Sequence, residues 1–494
     1  MTYLRLEGIT KRFGSFTAND NISFSVEQGK IHAILGENGA GKSTLMNIIS
    51  GLYQADKGQI YIQEKPVKIK SSSNAIKLGI GMIHQHFMLI PQLTVTENII
   101  LGTKINWRLN IFQRQQEVAD LSRAYNLDIN PGAKVGDLPI GVQQKVEILK
   151  VLYRQAKLLI LDEPTAVLTP SEVNSFITIL RRLADNGKTI IFISHKLEEV
   201  INLCDTVTVL RRGKVITNTT TTDVSPQHLA DLMVGHKVAL NLDKPQTFPG
   251  EIVLSAKNLY IKDDRGINTV CDISFELRAG EIIGIAGVDG NGQRELADGI
   301  CRLRTIEKGK LEFEQNCTIL AYIPEDRQKM GLVLEFNISQ NLILKAFSKI
   351  PFCRRFLLQQ QAIRDHAISA FDAYDIRAQN SEVKVKQLSG GNQQKIVLAR
   401  ELNQKPTLIV AMQPTRGLDI NATQAVQQKL LAEKERGAAI LYISTELEEI
   451  MAMSDKIAVM YEGHFSKLLD SATAQVEEIS FLMAGGKKWE KNSK

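Results

Sequence analysis

The sequence predicts an α/β protein built from two tandem copies of one parallel-sheet domain. Short apolar runs such as "KIHAIL", "KLLILDE" and "KTIIFIS" alternate with helix-like stretches, the pattern of strands buried on both faces and joined by crossover helices. "NISFSVEQGKIHAILGENGAGKS" from Asn21 matches "DISFELRAGEIIGIAGVDGNGQR" from Asp272, an offset of 272 − 21 = 251. Later pairs repeat at 250: "LPIGVQQK" with "LSGGNQQK", "DEPTAVLT" with "MQPTRGLD", "FISHKLEEV" with "YISTELEEI" and "LMVGHK" with "LMAGGK". That period is too long for a solenoid and fits a duplicated domain. A chain of 494 residues is also too long for one ordinary core.

In chain order, "KIHAIL" reads as a strand that runs into "GENGAGKS", Gly36 to Ser43, and then the helical "TLMNIIS". Strand, glycine-rich turn and helix make a phosphate-binding loop. Gly36, Gly39 and Gly41 let the backbone N–H groups of Glu37, Asn38, Ala40 and Thr44 close around phosphate oxygens. Lys42 places a charge on the outer phosphates, and Ser43 offers its hydroxyl to magnesium. "IHQHFMLIP" holds Gln85 between His84 and His86, which make no metal site without further ligands. Between 97 and 137 the strand pattern stops and "FQRQQEVADLSRAY" reads as a helix in an inserted, mostly helical lobe.

"LLILDEPT" ends an apolar strand in two carboxylates, Asp162 for the magnesium shell and Glu163 to polarise an attacking water. His195 follows the next strand, "TIIFIS", where it reads as a γ-phosphate contact. Around Gly235 to Gly250, "KPQTFPG" carries two prolines and marks the join, giving domains at 1–240 and 251–494.

Composition excludes more than it assigns. Hydrophobic content of 44% and charged content of 23% are ordinary for a globular chain. The net charge of +6 is spread too thinly to argue for a nucleic-acid partner. Five cysteines without a C-x-x-C pair suggest neither zinc nor a disulfide framework. The opening "MTYLRLEGIT" has no apolar leader, and no run of 18 apolar residues occurs, so any membrane role is expected through a partner.

Taken together these motifs resemble the ATP-binding cassette family over essentially the whole chain, most specifically through "LSGGNQQK" at Leu388 to Lys395. The resemblance implies ATP and Mg2+ as ligands, and in each half a parallel-sheet core, a small β subdomain and an inserted helical subdomain. By it, Gln85 senses magnesium and touches a permease, His195 is the switch histidine, and Phe13 in "KRFG" stacks on adenine. It also implies head-to-tail pairing, in which Ser389, Gly390, Gly391 and Asp419 of the second half close the site built on Lys42, Gln85, Asp162, Glu163 and His195.

The second site would then be defective throughout. Gln293 and Arg294 replace its lysine and serine, Glu325 its glutamine, Met412 and Gln413 its carboxylates, and Thr445 its histidine. Pro139 stands in its signature and Thr169 in place of the partner aspartate. Tandem cassettes of this kind resemble the ATP-binding subunits of importers for nucleosides and monosaccharides. That implies separate integral-membrane permease subunits, an extracytoplasmic solute-binding protein, and a peripheral position on the cytoplasmic face of the membrane. Motif wording resembles the nucleoside subgroup; simple sugars such as ribose or galactose are the alternative, and a tandem ATPase acting on ribosomes or DNA the remote one.

Overall fold

In this computed structural model the protein is described over residues 1–84, 87–103, 110–165, 168, 170–194, 196–235, 244–245, 247–313, 319–483 and 485. Its backbone contacts part into two compact units, 1–238 and 239–494.

The first unit begins with β1 (Thr2–Phe13), β2 (Phe16–Glu27), β3 (Ile31–Leu35), α1 (Lys42–Ile49), β4 (Lys57–Ile62) and β5 (Lys65–Val67). It continues through α2 (Ser72–Lys77), β6 (Ile80–Ile83), α3 (Val95–Ile100), α4 (Ile111–Ala124) and α5 (Ile140–Tyr153). Then come β7 (Leu158–Asp162), α6 (Pro170–Asp185), β8 (Thr189–Ile193), α7 (Leu197–Leu203), β9 (Thr206–Arg211), β10 (Lys214–Thr220) and α8 (Pro226–Val234). Strands β2, β1, β4 and β5, in that order, form an antiparallel sheet.

The central sheet has the order β10-β9-β3-β8-β7-β6, parallel from β9 to β6. All five side chains of β3 and of β8 are buried, as expected of strands covered on both faces. A core that includes Leu4, Ile22, Ile34, Leu45, Ile160 and Ile191 joins the two sheets around α1. The stretch after β6 is helical as expected: α3 starts in a capping box of Thr94 and Glu97, and α4 covers the predicted helix.

The second unit repeats this plan. β11 (Ile252–Lys262), β12 (Asn268–Arg278), β13 (Ile282–Ala286), α9 (Gln293–Ile300), β14 (Ile306–Phe313) and β15 (Leu320–Ile323) lead into α10 (Ile338–Leu342), β16 (Cys353–Arg354), β17 (Leu357–Leu358), α11 (Gln360–Tyr374) and α12 (Gly390–Leu402). β18 (Leu408–Met412), α13 (Ile420–Glu435), β19 (Ala439–Ser444), α14 (Leu447–Met453) and β20 (Lys456–Tyr461) complete its core. Its central order β15-β18-β19-β13-β20 is that of β6-β7-β8-β3-β9 strand for strand. Asn337 and Gln340 form a capping box where Thr94 and Glu97 do. The equivalence extends to helix caps, which sequence matching alone does not show.

Candidate active site

Parallel order brings four strand ends side by side, the place where open α/β sheets bind ligands. In the first unit β3, β8, β7 and β6 are consecutive neighbours. Ile34 pairs with Ile193, and Ile193 with Asp162, so the loop after β3 and the carboxylates after β7 emerge at one level.

The loop after β3 is shaped by its glycines. Gly36, Gly39 and Gly41 have φ of 155°, 84° and 101°, which side-chain-bearing residues seldom adopt. A Cβ at Gly36 would lie 2.4 Å from the Leu210 carbonyl oxygen, and one at Gly41 2.4 Å from that of Ala18. Gly41 caps α1 with no side chain, so no side-chain cap takes up the first N–H groups of that helix. Lys42 is buried and donates from Nζ to the Gly36 and Glu37 carbonyl oxygens at 2.5 and 3.0 Å. Ser43 is exposed in the first turn and Thr44 half-buried beside it.

At the end of β7, burial and the adjoining Glu163 carboxylate push the Asp162 carboxyl above its ordinary range, while Lys42 and His84 pull it back. Such a carboxylate, with the Ser43 hydroxyl nearby in sequence to Lys42, is a donor set that fits a divalent cation with oxygen ligands. Glu163 has φ 47°, and its N–H donates to the Ile193 carbonyl at 2.9 Å.

Sequence reasoning missed Glu199. This buried carboxylate accepts from Thr165 Oγ1 at 2.7 Å and from Ser194 Oγ at 3.2 Å. It thereby ties the loop that carries Glu163 to the end of β8. Glu449 does the same for Thr415 and Ser444 at 2.7 and 3.2 Å. The repeated "LEE" of "KLEEV" and "ELEEI" was the available signal.

Phe13 ends β1 partly exposed, edge-on to Tyr53 at 5.5 Å between ring centroids, with Lys11 Nζ 5.5 Å from its own ring. An exposed ring can offer a face to a base, which a core phenylalanine cannot. Tyr53 carried no sequence signal. Gln85, His86, His195 and Thr169 lie outside the described residues.

The equivalent place in the second unit is filled by its own side chains. Gln293 is buried, and its Nε2 donates to the Val288 carbonyl at 2.9 Å. Val288 matches Glu37, whose carbonyl Lys42 contacts. The Gln293 Oε1 accepts from the Asn291 N–H at 3.1 Å, so an amide oxygen takes up a loop donor. Beside it, Gln413 Nε2 donates to Asp289 Oδ1 at 3.3 Å and to Thr445 Oγ1 at 3.2 Å. Arg416 pairs with Asp289 at 3.7 Å and with Glu325. Gln413 keeps the backbone of its counterpart, with φ 47° and N–H to Ile443 O at 2.8 Å.

The signature segments differ in the same sense. Ser389 caps α12, accepting from the Asn392 N–H at 3.4 Å and from Asn392 Nδ2 at 3.1 Å, with Gly390 and Gly391 opening the helix. Pro139 caps α5 at a similar φ and ψ with no side-chain hydrogen bond. Asp419 caps α13 through the Ala422 N–H at 2.8 Å. Among the described residues no group of three or more His, Cys, Asp or Glu could hold a metal ion by itself. Nor is any described helix long and apolar enough to cross a membrane.

Comparison with known proteins agrees with this geometry. A family model described as ABC transporter matches residues 19–166 and 270–416. The chain is 42% identical to the nucleoside import ATP-binding protein NupA of Lactococcus lactis, over 98% of both chains. It is 45% identical to the guanosine import ATP-binding protein NupO of Bacillus subtilis, over 98% of this chain and 97% of that one. The ribose import ATP-binding protein RbsA of Shouchella clausii is 34% identical over 98% and 99%.

Proposed function

The chain belongs to the ABC transporter family, and from that premise we propose that it powers a nucleoside importer from a single competent ATP site. It is an importer ATPase subunit that binds ATP and works with membrane permease subunits and a solute-binding protein. Nucleosides are favoured over ribose because NupA and NupO share more of the chain's residues than RbsA does.

What carries the single-site reading is that the cation of Lys42 and the carboxylate of Glu163 are matched in the second unit by the neutral amides of Gln293 and Gln413, which are bonded to Val288 and to Asp289 and Thr445. The loop N–H groups and Lys42 bind the phosphates, and Phe13 stacks on the adenine. Asp162, Ser43 and Gln85 would hold Mg2+, which when bound neutralises charge on the phosphate oxygens. Glu163 accepts the proton of the attacking water, and His195 contacts the γ-phosphate. Ser389, Gly390 and Gly391 close the site from the second half, and the Gln85 and Glu325 loops carry the motion to the permease.

A positioned base contributes about 10² to 10⁴ in rate. Glu163→Gln should therefore nearly abolish single-turnover ATP hydrolysis by the complex with its permease, and Ser389→Ala should lower it strongly. Hydrolysis by Glu163→Gln within a few-fold of wild type would sink the single-site reading. Guanosine uptake that persists without the protein, with ribose uptake lost, would move the solute to sugars.

A further inference from the structure

Between Glu335 and Asp365 the chain has no acidic residue but carries Lys345, Lys349, Arg354, Arg355 and Arg364. This is the insertion between α10 and α11, and it is built to display. β16 and β17 pair Cys353 with Leu358 and Arg354 with Leu357, leaving a two-residue turn of Arg355 and Phe356. Both turn residues have positive φ, 50° and 65°, in a turn that normally takes Asn and Gly.

Phe356 is fully exposed, Leu357 and Ile350 are largely so, and Phe347 and Leu358 are about half exposed. The base beneath them is firm. Ile343, Phe352 and Ile363 form a small core, Phe352 meets the His366 ring at 5.0 Å, and the Gln359 N–H donates to Phe352 O at 2.8 Å. Lys345 is paired with Glu401, but Lys349, Arg354, Arg355 and Arg364 make no ion pair with any described residue. The matching insertion of the first unit, 98–116, is likewise free of acidic residues, and there Leu101 and Phe112 are exposed.

We propose that the β16–β17 hairpin contacts the anionic headgroup surface of a phospholipid leaflet, with Phe356 and Leu357 at its apolar boundary. Exposed aromatic and aliphatic tips flanked by unpaired cations are the chemistry of an interfacial anchor. A permease surface suits this patch less well, because cytoplasmic loops of membrane proteins are themselves rich in Lys and Arg. Contact with lipid would hold the subunit's helical insertion at the bilayer independently of ATP.

The test is sedimentation of the full-length protein with vesicles of phosphatidylcholine alone and with vesicles in which about a third is phosphatidylglycerol. Binding is expected to the second kind only and to weaken with salt. Arg354→Gln with Arg355→Gln should weaken it roughly twenty-five-fold, at about fivefold for each cation lost. Phe356→Ser should weaken it as well. Lys65→Gln with Lys68→Gln, the same charge change on exposed residues in and just after β5, should leave it unaltered.

Equal binding to neutral vesicles would overturn the proposal, and so would equal weakening by the Lys65/Lys68 control, which would make net charge the cause. Loss of permease assembly in neutral lipid by the hairpin variants would assign the surface to the permease instead and overturn it too. ATP hydrolysis by the hairpin variants in detergent should equal wild type, so failure here is separable from failure of the ATPase reading.

Discussion

Gln293 completes the second phosphate loop without a phosphate. A lysine at this position brings three donors and no acceptor, and Lys42 places two of them on the Gly36 and Glu37 carbonyls. Glutamine brings its own acceptor, so its amide satisfies both the Val288 carbonyl and the Asn291 N–H. The loop keeps its shape and loses the cation that phosphate would use; the Ala40 N–H that matches Asn291 is likewise held within its own loop, by the Glu37 carbonyl at 3.0 Å. Equilibrium binding of a slowly hydrolysed ATP analogue should therefore reach one nucleotide per chain, and Lys42→Ala should remove nearly all of it. Two nucleotides per wild-type chain, or substantial binding left in Lys42→Ala, would contradict the loss of phosphate binding at the second loop. The substitution of lysine by glutamine was legible in the sequence; the amide bridge was not, because it depends on which loop groups the fold turns toward position 293. Glu199 was hidden for the same reason, its partners Thr165 and Ser194 coming from different strand ends.

Single elements carry their own consequences. In β3, His32 is fully buried, bonded to Thr206 and Thr208 of β9 at 2.7 and 2.9 Å and stacked on Phe24 at 5.3 Å. Burial pulls its pKa from the ordinary 6.5 down to about 3. The unfolded chain thus takes a proton near pH 6.5 that the folded strand refuses, and the stability associated with neutral His32 is present above that pH and lost as pH falls toward 3. Unfolding free energy should decline over this interval, and His32→Gln should flatten the decline in urea titrations; an unchanged slope would mean other groups cause it. At α5, Pro139 leaves a helix start uncapped by any side chain where α12 has Ser389. Pro139→Ser should raise stability by about 0.5–1 kcal/mol, read as a higher melting temperature. It should not raise ATP turnover, because the site that this residue would close has Gln293 and Gln413 in it. Strands, helices and the helical insertion were legible because period and glycine placement encode them. The β16–β17 hairpin was not, since two-residue strands are too short to show a period.

At the scale of the whole chain, duplication has preserved backbone while chemistry diverged. Glu163 and Gln413 share φ 47° and donate their N–H groups to equivalent strands, β8 and β19, and Glu199 and Glu449 make equivalent bridges. The shared features need only the fold, whereas the proposed site needs Lys42, Glu163 and Asp162 of one half to work with Ser389 of the other. That division makes the pairing arrangement measurable. If each site closes within one chain, Glu163→Gln and Ser389→Ala disable the same site in their respective chains, and mixing the two variant proteins restores nothing. If closure occurs between chains, the first half of a Ser389→Ala chain can meet the second half of a Glu163→Gln chain with every catalytic group intact. Random two-chain mixing would then return about a quarter of the wild-type rate, since half of the pairs are mixed and one of their two sites is whole. On the proposed pairing of the two halves within one chain we expect no recovery, and recovery near a quarter would move closure to between chains.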